Sequence, residues 1–289
     1  MKTLKAVLRE VRKNKIAVGH FNVSDLSLLK AVFESVKELN VPVIIGTSEG
    51  EAGFLGRGQA AALIKSLRKE YDFPIFLNSD HTHSLEEVKK AVTVGYDAIL
   101  FDGGTLPLEE NIRQTKEVVD YVKSVSPKII VEGELGNIGS GSVIRKELPP
   151  GAAISPEDLT KPEDALRFVK ETGVDMLAPA VGNLHGMFAN APEPALNIER
   201  IKAIKKVVKI PLVLHGGSGN TDADFLAAIG AGINIIHIST ELRAAWRRGL
   251  ETALKEKPEE IAPYKLLSGS ITAVKEVVRK RLQLFNKLI

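Results

Sequence analysis

The chain has 289 residues, close to the ~250 of one (β/α)8 barrel, so a single large core is available. Hydrophobic residues at 44% and charged residues at 26% lie near the globular average and exclude a disordered or fibrous chain. The formal charge of +3 comes from 39 basic and 36 acidic residues interspersed along helices, a pattern of solvated faces that gives nucleic-acid binding little support.

Apolar runs are broken by Pro, Gly or charge well before the ~20 residues of a membrane span, so no transmembrane segment is expected. Met1 to Arg12 is charged throughout and does not read as a secretory signal, which makes the cytoplasm the expected compartment. Cysteine is absent, so disulfides are excluded and any zinc must be held by His and carboxylate.

In chain order, strands are predicted at Ile16–Phe21, Pro42–Thr47, Pro74–Ser79, Ala98–Phe101, Lys128–Glu134, Asp175–Ala180, Pro211–His215 and Ile233–Ile238. Each is nearly uniformly apolar, as parallel strands buried on both faces are, and a helix-length segment follows each. Asp25 to Leu39 and Pro107 to Ser124 carry helical periodicity. Ser84-Leu85-Glu86-Glu87 reads as a capping box, opening a helix with Leu85, Val88, Ala91 and Val92 on its apolar face and Gly95 as its stop. Thr160 and Gly173 bracket another. Eight βα units with no linker between them predict a closed α/β TIM barrel, one catalytic domain over 1–289. Two connections, near 135–160 and 182–197, are long enough to be binding loops or lids.

In such a barrel, chemistry sits at the C-terminal ends of the strands. Those ends carry Asn22, Ser48, Asp80 with His81 and His83, Asp102, Glu134, His185, His215, and His237 with Ser239. Six histidines occur, five at or just beyond a predicted strand end, with His20 inside the first strand. A lone strand-end His is usually a hydrogen-bonded structural residue, but chance would scatter the set over helices and both rims. Convergence of His81, Glu134, His185 and His215 on one axis suits zinc, which takes imidazole nitrogen and carboxylate oxygen and leaves a position open in catalytic sites. His83 is either part of a bidentate His-x-His metal site or a supporting or helix-capping residue.

A phosphate signal is separate. His215-Gly216-Gly217-Ser218-Gly219-Asn220-Thr221 follows the seventh strand, and Ser239-Thr240-Glu241 follows the eighth and opens a helix. Glycines let backbone approach an anion, and helix N-terminal amides point at it. Arg243, one turn into that helix, is a second candidate phosphate contact, although a surface salt bridge is the commoner fate of a helical Arg.

Four motifs, Asp80-His81, Glu132-Gly133-Glu134-Leu135-Gly136, Gly182-Asn183-Leu184-His185-Gly186 and His215-Gly216-Gly217-Ser218-Gly219, closely resemble in order and spacing the class II, metal-dependent fructose-bisphosphate aldolases and their tagatose-bisphosphate relatives. The likeness runs from Ala17 through Ser48-Glu49-Gly50 to Ser239-Thr240-Glu241-Leu242-Arg243. The resemblance implies a lyase of carbohydrate metabolism such as glycolysis, cleaving fructose 1,6-bisphosphate or a related ketose phosphate to dihydroxyacetone phosphate and an aldehyde. It implies His81, His185 and His215 as zinc ligands, Glu134 beside or on the metal, and Asp80 as the acid serving the aldehyde oxygen. Asn22, Ser48, Gly186, His237 and Ser239 fall at substrate-contact positions. Gly216, Gly217, Ser218 and Thr240 match the phosphate cradle, where the family also binds Na+ or K+, and Arg243 matches an arginine for the aldehyde-side phosphate. A second zinc site and a homodimer or homotetramer are further expectations by resemblance.

A metal supplies the electron sink that aldol cleavage needs, and a lysine Schiff base is the alternative. Lys128, at the start of the fifth strand, is on the wrong rim, which favours the metal route. The chain departs from the family where the loop after Glu134 carries Gly139-Ser140-Gly141-Ser142 in place of an acidic run that includes the proton-abstracting base. A hydroxyl is a weak base at neutral pH, which leaves Glu147 or His237 as replacements. Met187-Phe188-Ala189 stands where an aromatic residue and a Lys are usual, His237 where Asn is usual, and Gly103-Gly104 where Ser is common. These departures point to a different ketose or proton-transfer step. Two other readings are a metal-dependent hydrolase of the amidohydrolase kind, motivated by His81-x-His83, and a non-catalytic sugar-phosphate-binding relative.

Overall fold

Strand alternation organises the molecule. The computed structural model describes residues 2–139, 141–147, 155–189 and 191–288. Ten strands occur among them: β1 (Val18–Asn22), β2 (Val43–Ser48), β3 (Ile75–Thr82), β4 (Ala98–Phe101), β5 (Ile130–Leu135), β6 (Ile144–Arg145), β7 (Met176–Pro179), β8 (Met187–Phe188), β9 (Leu212–Leu214) and β10 (Ile233–Ile238). Eight of these close into a parallel barrel in the order β1-β10-β9-β7-β5-β4-β3-β2, and helices run between them, so the fold is a (β/α)8 TIM barrel. All eight predicted strands are present. Their ends move by a residue or two, and β3 runs on through Asp80, His81 and Thr82 where a loop was expected.

Successive strand residues face opposite sides. Val18, Ile44, Phe76, Ala98, Ile130, Met176, Val213 and Ile235 share one apolar cluster inside the barrel, and the helix Leu4–Asn14 closes the lower end with Leu4, Val7, Leu8 and Val11. Two residues further along their strands come His20, Asn78, Glu132, His215 and His237, all buried. Another two bring Asn22, Ser48, Asp80 and Glu134 to the mouth. A dry lower plug thus gives way upward to a polar layer and then to the site. The opposite strand faces pack on the helices in a second, larger core that includes Phe21, Ile45, Leu77, Phe168 and Phe225.

Helix ends follow local chemistry, with one correction. Ser84 caps its helix by accepting from the Glu87 amide, and Gly95 ends it in the left-handed conformation, but Glu87 does not return the bond. Its carboxylate takes Arg57 and Lys90 instead, so half of the expected box forms. Complete boxes occur at Ser48/Glu51 and Thr221/Asp224. The expected helix after Thr160 begins at Pro162; Thr160 itself donates to Leu135 O at 2.5 Å and so ties the end of the first long loop to β5.

The two long loops are joined. β6 and β8 pair in parallel, Ile144 with Met187 and Arg145 with Phe188, which pins one loop to the other beside the barrel mouth. Ser140 and 148–154 of the first loop, and 190 of the second, lie outside the described residues.

Candidate metal and substrate site

The local backbone of β3 places two adjacent polar residues on one side. Regular alternation would send Asp80 inward and His81 away, but the pairing with β4 shifts between Ser79 and Thr82 and His81 takes φ +50°. This bulge turns both side chains to the mouth, the usual way a bulge re-aims a residue beside a site. A left-handed conformation at a non-glycine residue costs of order 1 kcal/mol and persists because surrounding bonds hold it.

Those bonds are specific. His81 Nδ1 lies 2.6 Å from Asp102 Oδ2, and Gly104 N donates to the other Asp102 oxygen at 3.1 Å. His215 Nε2 pairs with Glu132 Oε1 at 2.8 Å, which directs Nδ1 to the centre of the mouth, 3.5 Å from Glu134 Oε2. His185 enters from the second long loop, its amide bonded to Ile138 O at 3.0 Å and its carbonyl to Arg145 Nε at 2.9 Å. The ligand atoms of His81, Glu134, His185 and His215 lie within 4.8 Å of one another. Three atoms of this group, His185 Nε2, His215 Nδ1 and Glu134 Oε2, are buried without a hydrogen-bond partner. Orphaned buried polar atoms are costly, and a shared cation satisfies all of them, so the donor set fits a divalent metal.

The charges agree. Burial and the Asp102 charge raise Glu134 well above the usual carboxylate range. Burial opposes the His81 proton, but Asp80, Asp102 and Glu134 outweigh it and push the imidazole up to about 10. Burial and the neighbouring His81 and His215 hold His185 well below its ordinary value. Converging carboxylates therefore call for positive charge here, and a cation supplies it once the ligands give up their protons.

Asp80 is 3% exposed. Burial alone would raise it, but His81, His237 and His20 hold it well below the carboxylate range. Asn22 Nδ2 donates to Asp80 Oδ2 at 2.8 Å and to Glu51 Oε2 at 2.9 Å, while Asp80 Oδ1 has no hydrogen-bond partner. Behind it the His20 and His237 rings stack at 3.5 Å with 1° between their planes, and His237 lies 4.0 Å from the His215 ring. Gly46 makes room for this stack, because a Cβ there would fall 2.1 Å from His20 Cε1. Neither His237 nitrogen has a hydrogen-bond partner.

A cavity of about 620 Å³ opens above these groups. Of the predicted residues, it is lined by Asn22, Ser48, Asp80, His81, His185, Gly186, Gly216, Ser218, His237, Ser239, Thr240 and Arg243. Gly217 sits behind it, its amide bonded to His237 O at 3.1 Å, where a Cβ would meet that oxygen at 2.7 Å. Ser218 Oγ accepts from the amides of Ser239 and Glu241, each at 3.3 Å, which docks the glycine turn on the N-terminus of the helix Thr240–Glu256. His83 lines the rim of the cavity. It is largely exposed, 3.4 Å from Asp102 O, and outside the cluster that takes His81, so the His-x-His reading finds no support.

Sequence reasoning missed several members. Asp102 and Glu132 were seen as strand residues without their His partners. Glu51 was missed, although Ser48-x-x-Glu51 is a legible capping signature. The two replacement bases separate: His237 lines the cavity, whereas Glu147 is exposed and not among the lining residues.

A parallel barrel whose mouth gathers three imidazoles and a carboxylate within reach of one ion, beside an amide-rich turn, is built as a (β/α)8 enzyme. The family model for class II fructose-bisphosphate aldolase matches residues 2–288, and the chain belongs to that family. It is an aldolase, a carbon–carbon lyase, of a family that is generally metal-dependent, and the hydrolase and non-catalytic readings fall away. Among solved structures it resembles the YdjI aldolase from Escherichia coli K12 at 32% identity and TM-score 0.81, covering 99% of this chain and 97% of that one. It also resembles a putative fructose-1,6-bisphosphate aldolase from Coccidioides immitis at 25% identity and TM-score 0.81, covering 98% and 96%. A fructose-bisphosphate aldolase from Campylobacter jejuni shares the fold at 22% identity and TM-score 0.80, over 98% and 94%. No helix among the described residues is long and apolar enough to cross a membrane.

Proposed function

We propose that the chain cleaves a ketose phosphate reversibly to dihydroxyacetone phosphate and an aldehyde, with zinc held by His81, His185 and His215 and Glu134 beside it. The observation that carries this reading is the convergence of His185 Nε2, His215 Nδ1 and Glu134 Oε2, all buried and unpartnered, on one point with His81. A bound divalent cation supplies a Lewis acid that draws electron density from the ketone carbonyl.

The chain's own residues do the rest. Asp80, held ionised and steadied by Asn22, takes the hydroxyl proton in cleavage and returns it to the aldehyde oxygen in condensation. Gly216, Ser218, Ser239 and Thr240 hold the donor phosphate at the helix N-terminus, where amides and the helix dipole favour an anion, while Gly217 supports the turn from behind through its bond to His237 O. The carbonyls of this turn suit the Na+ or K+ that the family binds. His237, kept neutral by burial and by its His20 and His215 neighbours, contacts the ketose hydroxyls and takes the donor-carbon proton that the missing loop acid would take. Ser142, whose Oγ donates to Ser239 Oγ at 2.9 Å, cannot serve because an unactivated hydroxyl is too weak a base at neutral pH.

The test is dihydroxyacetone-phosphate release from a set of ketose phosphates, with and without a chelator. Release that stops on chelation and returns with zinc is the expected result. Undiminished release from metal-free protein would reject the metal mechanism, and no release from any member of the set would reject the aldolase reading.

A further inference from the structure

The aldehyde side of the cavity carries one strong cation, and it is already paired. Among the described residues lining the cavity, Arg243 is the single lysine or arginine. Its Nη2 donates to Glu51 Oε1 at 2.6 Å. Glu51 is 6% exposed, and its second oxygen accepts from Asn22 Nδ2 at 2.9 Å, Ser48 N at 2.9 Å and Ser48 Oγ at 3.0 Å. The carboxylate is thus locked by the capping box at the start of the helix Glu49–Leu55, and swinging it away would strand three donors.

A phosphate dianion arriving at Arg243 would meet that fixed carboxylate, which Asn22 ties to Asp80. Like charges brought together in a partly desolvated cavity repel strongly, and the guanidinium is neutralised before the ligand arrives. The carboxylates near the Gly216–Ser218 turn, Glu193 and Glu241, do not line the cavity, and Glu241 is paired with Arg281 at 2.6 Å, so the two ends of the cavity are electrostatically unequal. From this asymmetry, we infer that the aldehyde half of the substrate is an unphosphorylated polyhydroxy aldehyde, whose hydroxyls bond Glu51, Asn22, Ser48 and Arg243, and that the Glu51–Arg243 pair sets this selectivity. The inference rests on the aldolase reading and replaces the aldehyde-phosphate role that the family resemblance implied for Arg243.

The test is condensation by the zinc-loaded enzyme of dihydroxyacetone phosphate with racemic glyceraldehyde or racemic glyceraldehyde 3-phosphate, alongside solvent exchange of the dihydroxyacetone-phosphate C3 proton followed by NMR. The expected result is a kcat/KM for free glyceraldehyde equal to or above that for its phosphate. Glu51→Gln should shift this ratio toward the phosphorylated aldehyde by about tenfold, the effect of one released charge. A wild-type preference for glyceraldehyde 3-phosphate would overturn the inference and leave the aldolase reading intact. Absence of C3 exchange would overturn the aldolase reading itself.

Discussion

Asp102 Oδ2 stands 2.6 Å from His81 Nδ1, and this bond leaves Nε2 as the His81 nitrogen free to face an ion. A carboxylate behind a metal-binding imidazole fixes the tautomer and raises its basicity. Asp102→Asn keeps the size but loses the charge. We expect zinc affinity to fall by roughly 10- to 100-fold with the fold retained, read by competition against a chromophoric chelator. Unchanged affinity would remove Asp102 from the account.

Metal binding should release protons. In the metal-free protein His81 is pushed up to about 10 and holds its proton at neutral pH, and burial with the Asp102 charge raises Glu134 well above its ordinary value. Ligands bind deprotonated, hence affinity rises with pH up to the raised values and falls as acid is added. Calorimetry in buffers of different ionisation enthalpy should show net proton release at pH 7, and zero release would contradict the charge arrangement.

Asp80 and His237 should separate from the metal ligands. Asp80→Asn is expected to retain zinc and lose kcat by about 10²- to 10⁴-fold, the range of a lost acid–base group. His237→Asn should likewise keep zinc but slow dihydroxyacetone-phosphate proton exchange by at least about 10²-fold. Metal content by mass spectrometry with single-turnover kinetics decides both. Rapid exchange in the His237 variant would return the proton step to another group.

Much of this architecture was legible because parallel barrel strands are apolar on both faces and stand out as eight short runs. His81 and His215 were legible from strand ends, whereas His185 reaches the same point from the loop after β7. The bulge at Asp80-His81 did not, because a one-residue slip in pairing leaves no mark in composition. The same holds for the β6–β8 pairing between two distant loops. Arg243 was readable as a cation, but its ion-pair partner is Glu51, 192 positions away, which only the fold brings near.

Acid should weaken the fold through the imidazole stack. Burial lowers His20 to about 4, below the 6.5 of an unfolded histidine. The group is neutral in the native state and must charge on unfolding, so its contribution is present above pH 6.5 and is lost as pH falls toward 4. The shift corresponds to about 3 kcal/mol. Urea midpoints between pH 7 and 4 should decline, and less steeply in His20→Gln.

Gly216 has φ +58°, and a Cβ there would lie 2.1 Å from Leu184 O. Gly216→Ala must therefore displace the turn that lies against the loop carrying His185. KM for the donor phosphate should rise about tenfold or more, since one lost amide contact to an anion is worth over about 1 kcal/mol. An unchanged KM would place the phosphate elsewhere.

His81, His185 and His215 should share a single divalent cation. Crystals grown with one equivalent of zinc and measured at its absorption edge would locate that ion. One anomalous peak is expected, at about 2.0–2.1 Å from a nitrogen of each imidazole. A zinc peak away from these rings would rule out the shared ion.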